Sequence, residues 1–211
     1  MKPKKFVFNL LILVLLSSCK YRFEKDTRYF CKEYNLDCVK ENIIVTFATS
    51  KGNFDVELFG SSNPLTVSNF IKNISDNIYE NSKFYKLIDY PNTKIIHGGI
   101  GINNNNQFSS NNKTISSIPL EISLKTKEEP LYKTEISDPR KYKFLKNSFQ
   151  KGSISMAKIS KTKSSSTEFF ISTEKSAVLE GRYSVFGKII NGFEILENIG
   201  ISDFILKIEV K

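Results

Sequence analysis

Apolar side chains alternate with polar ones at Ile43, Val45 and Phe47, and again at Phe54, Val56 and Leu58, with Lys51-Gly52 between the two runs. A period of two is the pattern of a half-buried strand, and the glycine-bearing break makes the pair a hairpin. The period then changes. Val67, Phe70, Ile71 and Ile74 fall on one helical face, introduced by Asn63 as N-cap and Pro64 at the first helical position. Further on, Ile154, Met156, Phe170 and Val185 lie in short apolar runs of strand length, separated by the polar clusters SKTKSSS and STEKSA, which read as exposed loops. Two strands, a helix and a series of further short strands predict a mainly β domain.

Two stretches break this pattern. Residues 101–117 are dominated by Asn and Ser, and residues 123–151 form a long charged segment containing Pro130 and Pro139. Segments this polar bury too little apolar surface to order themselves unaided, so both are expected to be mobile surface loops. No internal repeat is present. Residues 42–211 are therefore read as one domain, long enough to enclose a sizeable core.

The N-terminus is a targeting device. Lys2, Lys4 and Lys5 precede an apolar run from Phe6 to Leu16, which closes on Leu16-Ser17-Ser18-Cys19. The run is shorter than the roughly 20 residues of a membrane-spanning helix, so residues 1–18 read as a cleaved signal peptide. Its ending resembles the lipobox of bacterial lipoproteins, which implies acylation of Cys19 and anchoring through several acyl chains. Lys20 lacks the aspartate associated with inner-membrane retention, which favours the outer membrane or the periplasmic side of the cell envelope. Loss of the three leader lysines lowers the formal charge from +9 to +6. An exported basic chain is not expected to bind nucleic acid; an anionic membrane or acidic clients suit it better.

Residues 19–41 read as a charged, lipidated tether. They contain Cys31 and Cys38 in CKEYNLDC. Outside the cytoplasm two such cysteines either close a small disulfide loop or stay as free thiols, and two thiols with no nearby histidine are too few for zinc.

The most informative run is GSISMAKISKTKSSSTEFFISTEKSAVLEGRYSVFGKII at residues 152–190. It resembles three ordered blocks of the cyclophilin family of peptidyl-prolyl isomerases: G-x-L-S-M-A, S-Q-F-F-I and L-D-G-x-x-x-V-F-G. NPLTVSNFI resembles the family's first helix, GFEILENI at Gly192–Ile199 its second, and Phe204–Val210 its closing strand. The resemblance implies a closed eight-stranded antiparallel β-barrel with two flanking helices. It implies catalysis of cis-trans exchange at X-Pro bonds of proline-containing polypeptide clients. Rotation about that amide needs no nucleophile, metal or other cofactor; it needs a proline pocket and a donor that favours a pyramidal prolyl nitrogen.

That donor is an arginine in the family motif F-H-R-V-I, and here Phe84-Tyr85-Lys86-Leu87-Ile88 puts Lys86 in its place. Lysine is a flexible point charge without the guanidinium's planar fork, so weaker catalysis is expected. In place of Q-G-G-D the chain reads His97-Gly98-Gly99-Ile100, and in place of S-Q-F-F it reads Thr167-Glu168-Phe169-Phe170. Lys86, His97 and Glu168 are thus expected to converge, with Glu168 pairing to Lys86. The resemblance assigns Ile95, Phe170, Leu179 and Tyr183 to the proline ring and Met156 and Ala157 to the peptide groove. Lys94 and Lys158 replace a phenylalanine and an asparagine of the family. Val178 stands near a tryptophan associated with cyclosporin binding, so poor affinity for that ligand is expected.

A second reading has the same fold as a proline-directed binding or chaperone-like lipoprotein whose catalysis has decayed. A hydrolase is disfavoured because GSIS lacks the second glycine of a nucleophile elbow, and no phosphate-binding pattern occurs. A monomer is the default expectation.

Overall fold

A computed structural model of the chain describes residues 25–90, 93–100 and 116–211. The leader, Cys19 and nearly all of the 101–117 segment lie outside the described residues. The elements run α1 (Thr27–Glu33), β1 (Ile43–Thr49), β2 (Gly52–Leu58), α2 (Pro64–Ser75), β3 (Ser82–Lys83), β4 (Lys86–Tyr90), β5 (Thr93–Gly99), β6 (Ser117–Pro119), β7 (Glu121–Ile122), β8 (Leu131–Tyr132), β9 (Ser153–Ser160), β10 (Lys163–Ser172), β11 (Val185–Asn191), α3 (Phe193–Glu197) and β12 (Phe204–Val210). The fold is mainly β, as the alternating pattern predicts.

The hydrogen bonds do not describe the closed eight-stranded barrel that was expected. They describe one curled ten-stranded antiparallel sheet in the order β3-β12-β1-β2-β11-β9-β10-β5-β4, with β6 added to β10. Its two ends, β3 and β4, are joined by Phe84-Tyr85 alone, and strands so directly consecutive cannot lie side by side without reversing. Instead the connection serves both edges. Phe84 N–H donates to Asp203 O at 2.8 Å and Ser202 N–H to Phe84 O at 2.7 Å, while Tyr85 N–H donates to His97 O at 3.1 Å.

Val45, Phe47, Phe54, Val56 and Leu58, the inward positions of the predicted hairpin, are all buried in the main core. Phe47 stacks on Phe54 at 4.8 Å between ring centres, and Phe169 meets Phe70 edge-to-face at 5.8 Å. Side chains of this size, buried and touching, contribute most of the apolar driving force of such a domain. Helix α2 delivers the predicted face: Val67 and Phe70 enter the core, and Ile71 and Ile74 pack against it.

The helix is not capped in the way its sequence suggests. Asn63 makes no side-chain cap. The fully buried Glu121, from β7, accepts from Leu65 N–H at 3.2 Å and Thr66 N–H at 2.8 Å. Tyr132 O–H donates to the same carboxylate at 2.9 Å. Burial pushes the Glu121 carboxyl up from its ordinary value, opposed by Thr66, Tyr132 and Leu65.

Residues 123–151 are not the loose loop their composition suggests. Leu120, Ile122, Ile136 and Leu145 form a separate buried cluster with Leu124, Leu131 and Tyr142 against it, and residues 139–144 form a 3-10 turn. The few apolar residues converge because β8 returns to pair with β7 and, further on, Leu124 bridges Leu145 and Lys146 N–H donates to Ser123 O, which brings the later part of the segment back to its start.

Where the sequence suggested only a tether, residues 27–33 form a helix seated on this insertion. Phe30 is buried and its ring lies 4.4 Å from that of Tyr132; Thr27 Oγ1 bonds both Glu129 and the Tyr132 hydroxyl. Cys31 and Cys38 are joined in a disulfide, with Cα atoms 5.8 Å apart, and Val39 N–H donates to Ser68 on α2. Among the described residues, no helix is long and apolar enough to cross a membrane.

Glu121 thus holds the α2 terminus and the insertion together. Glu121→Ala should lower unfolding stability in a urea titration by about 2–4 kcal/mol, because it strands two buried helix-terminal N–H groups and leaves the Tyr132 hydroxyl with Thr27 as its remaining side-chain partner. Glu121→Gln, which keeps the volume and one acceptor, should lose less than half as much.

Candidate active site

Antiparallel register brings the site together. Lys86 on β4 lies opposite His97 on β5, and His97 lies opposite Phe170 on β10. Directly opposed residues share a face of the sheet, so the three side chains form one row. The row continues through Ser155 on β9 to Val185 on β11. The alternate residues Ile96, Phe169 and Ile171 point into the main core.

Along this outer face a second apolar cluster contains Ile95, Phe149, Phe170, Leu179 and Val185, with Phe59, Ile88 and Tyr183 packed against it. Four of the expected proline-pocket residues, Ile95, Phe170, Leu179 and Tyr183, are therefore together. The Tyr183 ring meets Phe170 edge-on at 5.1 Å. Phe149 is an addition. It is fully buried, lies parallel to Phe170 at 5.9 Å, and its N–H is held by Glu180 at 3.0 Å. It sits in the segment that its charged neighbours made look like loop, and no periodic signal marks it.

Met156 belongs elsewhere. Expected in the peptide groove, its side chain is fully buried in the main core opposite Phe169, on the other face of the sheet from Phe170, because alternation along β9 turns it inward. Ala157, the next residue, is buried beside it in the chain. Val178 is 61% exposed, and Lys94 points outward to Asp89 at 3.5 Å and Glu174 at 4.0 Å.

The polar cluster forms with a different pairing from the one expected. His97 Nδ1 lies 3.0 Å from Glu168 Oε1. An ionised carboxylate only accepts, so Nδ1 carries the hydrogen of this bond. Lys86 makes no ion pair within 4 Å among the described residues, and its side chain is exposed. The histidine ring, in register between Lys86 and Phe170, reaches the carboxylate first. Tyr85 closes the cluster: its hydroxyl is buried beside Glu168, close enough to couple electrostatically, without a well-formed hydrogen bond.

Local structure fixes Glu168. Ser165 Oγ accepts from the Glu168 N–H at 2.9 Å, and Asn69 and Asn73 of α2 both donate to Ser166 O, at 2.7 and 2.6 Å. Gly99 opposite has φ +84°, and a Cβ there would lie 2.4 Å from Thr167 O. That close approach explains the second glycine after His97.

Burial alone would raise the Glu168 carboxyl. The His97 and Tyr85 contacts and the charges of His97 and Lys86 outweigh it, and the group is held below its ordinary value. A carboxylate whose folded-state value is depressed adds stability that is complete above its unfolded value and is lost as pH falls through the folded one. The stability difference between wild type and Glu168→Gln should therefore shrink below roughly pH 4. Chemical denaturation at several pH values checks this, and a gap that stays constant with pH contradicts it.

The family model for cyclophilin type peptidyl-prolyl cis-trans isomerase/CLD matches residues 44–207. The chain is similar to a peptidyl-prolyl cis-trans isomerase of Acinetobacter baylyi, 28% identical over 163 residues, spanning 75% of this chain and 72% of the relative. It is also similar to a putative thylakoid lumen peptidyl-prolyl cis-trans isomerase of Synechocystis, 28% identical over 188 residues, spanning 83% of this chain and 48% of that protein. Among solved structures it resembles a Cryptosporidium parvum enzyme of this type determined in the presence of the dipeptide Ala-Pro. That match has a TM-score of 0.56 and 26% identity, covering 80% of this chain and 98% of the other.

Proposed function

The chain belongs to the cyclophilin-type peptidyl-prolyl cis-trans isomerase family, and from that membership we propose that Lys86 is its catalytic donor and that its clients are exported polypeptides. The observation that carries this reading is the Lys86–His97–Phe170 row. It sets an exposed ammonium two strands away from the apolar floor on which a proline ring can rest.

The reaction breaks no covalent bond. A proline ring seated against Ile95, Phe170, Leu179 and Tyr183 is held while the preceding carbonyl turns. The ammonium of Lys86 donates to the prolyl nitrogen as it becomes pyramidal, when its lone pair is no longer shared with the carbonyl. This interaction is stronger in the twisted state than in either planar isomer, which is what lowers the barrier. His97 holds Glu168 and so leaves the ammonium available; Tyr85 and Glu168 set the field around it.

Export is supported by the leader, the lipobox-like Cys19 and the Cys31–Cys38 disulfide, since disulfides persist outside the reducing cytoplasm. The luminal relative fits the same compartment logic. Acylated Cys19 would tether the domain at the bacterial cell envelope, with α1 held against the insertion.

Cis-to-trans exchange of a short X-Pro peptide, followed by NMR with the chain beginning after Cys19, tests the role of Lys86. Wild type should accelerate exchange and Lys86→Ala should lose at least about tenfold of kcat/KM. Lys86→Arg alone should bring no gain, because a guanidinium beside Glu168 would form a bidentate pair with it; combined with Glu168→Gln it should exceed wild type. A folded wild type without acceleration makes the protein a proline-directed binding module, and activity that survives in Lys86→Ala removes the lysine from the mechanism.

A further inference from the structure

The 123–151 insertion reaches the rim of the client groove. Ile136 N–H donates to Gly181 O at 2.8 Å, and a Cβ on Gly181 would lie 2.3 Å from Ile136 O, so the two segments are in contact two residues before Tyr183. From the same turn, Glu135 forms an ion pair with Lys158 at the end of β9. The Lys158 ammonium stands over the Tyr183 ring at 5.7 Å, and that ring touches Phe170. One aromatic ring therefore separates this charge from the floor of the proline pocket.

The pair is not electrically balanced. Arg182 and Lys161 lie close enough to act on Lys158, and Glu135 is its single carboxylate partner among the described residues. Burial first, then these two cations, lower the Lys158 pKa. The Lys158 and Glu135 side chains are 23% and 15% exposed, so the pair is mostly but not fully covered. A partly buried cation with cationic neighbours gains from a second anion and opposes a further cation.

We propose that the Glu135–Lys158 pair selects clients by charge: Lys158 receives an acidic side chain flanking the client's proline, in exchange for or alongside Glu135, so the enzyme favours prolines bordered by Asp or Glu. This rests on the isomerase reading of the pocket. The insertion supplies the counter-charge, so Glu135 weakens the attraction in the free protein and sets how acidic a client must be to displace it.

The test uses three peptides that differ only in carrying Glu, Ala or Lys at both positions flanking one proline. Exchange rates and binding, the latter by NMR titration, are measured for wild type, Lys158→Gln and Glu135→Gln. Wild type should favour the Glu peptide over the Lys peptide roughly three- to ten-fold at low salt, and the ratio should contract at about 0.5 M salt. Lys158→Gln should flatten the series and Glu135→Gln should widen it. Equal handling of the three peptides by wild type, or a preference that survives Lys158→Gln, overturns the proposal. If no peptide is accelerated, the isomerase reading fails, and the binding titrations still decide the charge preference.

Discussion

Everything at the site depends on the register of three antiparallel strands. β4, β5 and β10 are paired so that Lys86, His97 and Phe170 stand opposite one another. A slip of one residue between β5 and β10 would turn Phe170 toward Ile96 and put a core residue at the surface. The register cannot slip cheaply, because Phe169, Ile171 and Ile96 on the reverse face are packed into the aromatic core. Core packing and site geometry are therefore two faces of one constraint. The functional face inherits its precision from side chains that never meet a client.

A second constraint joins the additions to the barrel-like sheet. Glu121 is buried and accepts from the α2 terminus and from Tyr132, and Tyr132 in turn meets Thr27 and Phe30 of the disulfide-bearing helix. Burying a carboxylate is costly unless its acceptors are filled, and here three donors fill them. The insertion, the N-terminal helix and α2 are thus coupled through one side chain. The same insertion carries Glu135 to the groove, and Glu121 N–H also donates to Ser184, between Tyr183 and Val185, so one buried residue helps fix what lies at the rim.

The legible and illegible parts of this chain divide along physical lines. Alternation marked the β1–β2 hairpin, and the 3.6-residue spacing with Pro64 marked α2, because those elements present one face to a large core. Ile95, Phe170, Leu179 and Tyr183 were reachable through family-like words in sequence. Residues 123–151 were misread because their order comes from a few well-placed apolar residues and from buried polar groups such as Glu121, whose partners are 11 and more residues away. Composition averages over such contacts. Met156 was misplaced by resemblance to a motif where strand alternation, applied strictly, turns it inward. The His97–Glu168 bond was hidden for another reason: sequence brought three polar residues together but could not rank the pairs among them.

The reaction itself explains how such a site can change its polar residues and keep its pocket. Turning an amide requires no nucleophile with a tuned pKa, so the apolar floor and one donor carry the chemistry, and the surrounding polar groups are under weaker chemical constraint. Once a carboxylate stands at position 168, however, the substitutions become mutually dependent. Glu168 needs a donor, and His97 supplies it diagonally across the β5–β10 pair. A guanidinium at position 86 would compete for that carboxylate with a planar fork, whereas an ammonium, better hydrated and less directional, leaves the pairing to His97. Lysine at 86, histidine at 97 and glutamate at 168 make physical sense as a set, even though each alone departs from the family words. The cationic rim around Lys158 extends the same principle outward in the proposed reading, where the pocket takes the proline and the charges beyond Tyr183 discriminate among prolines.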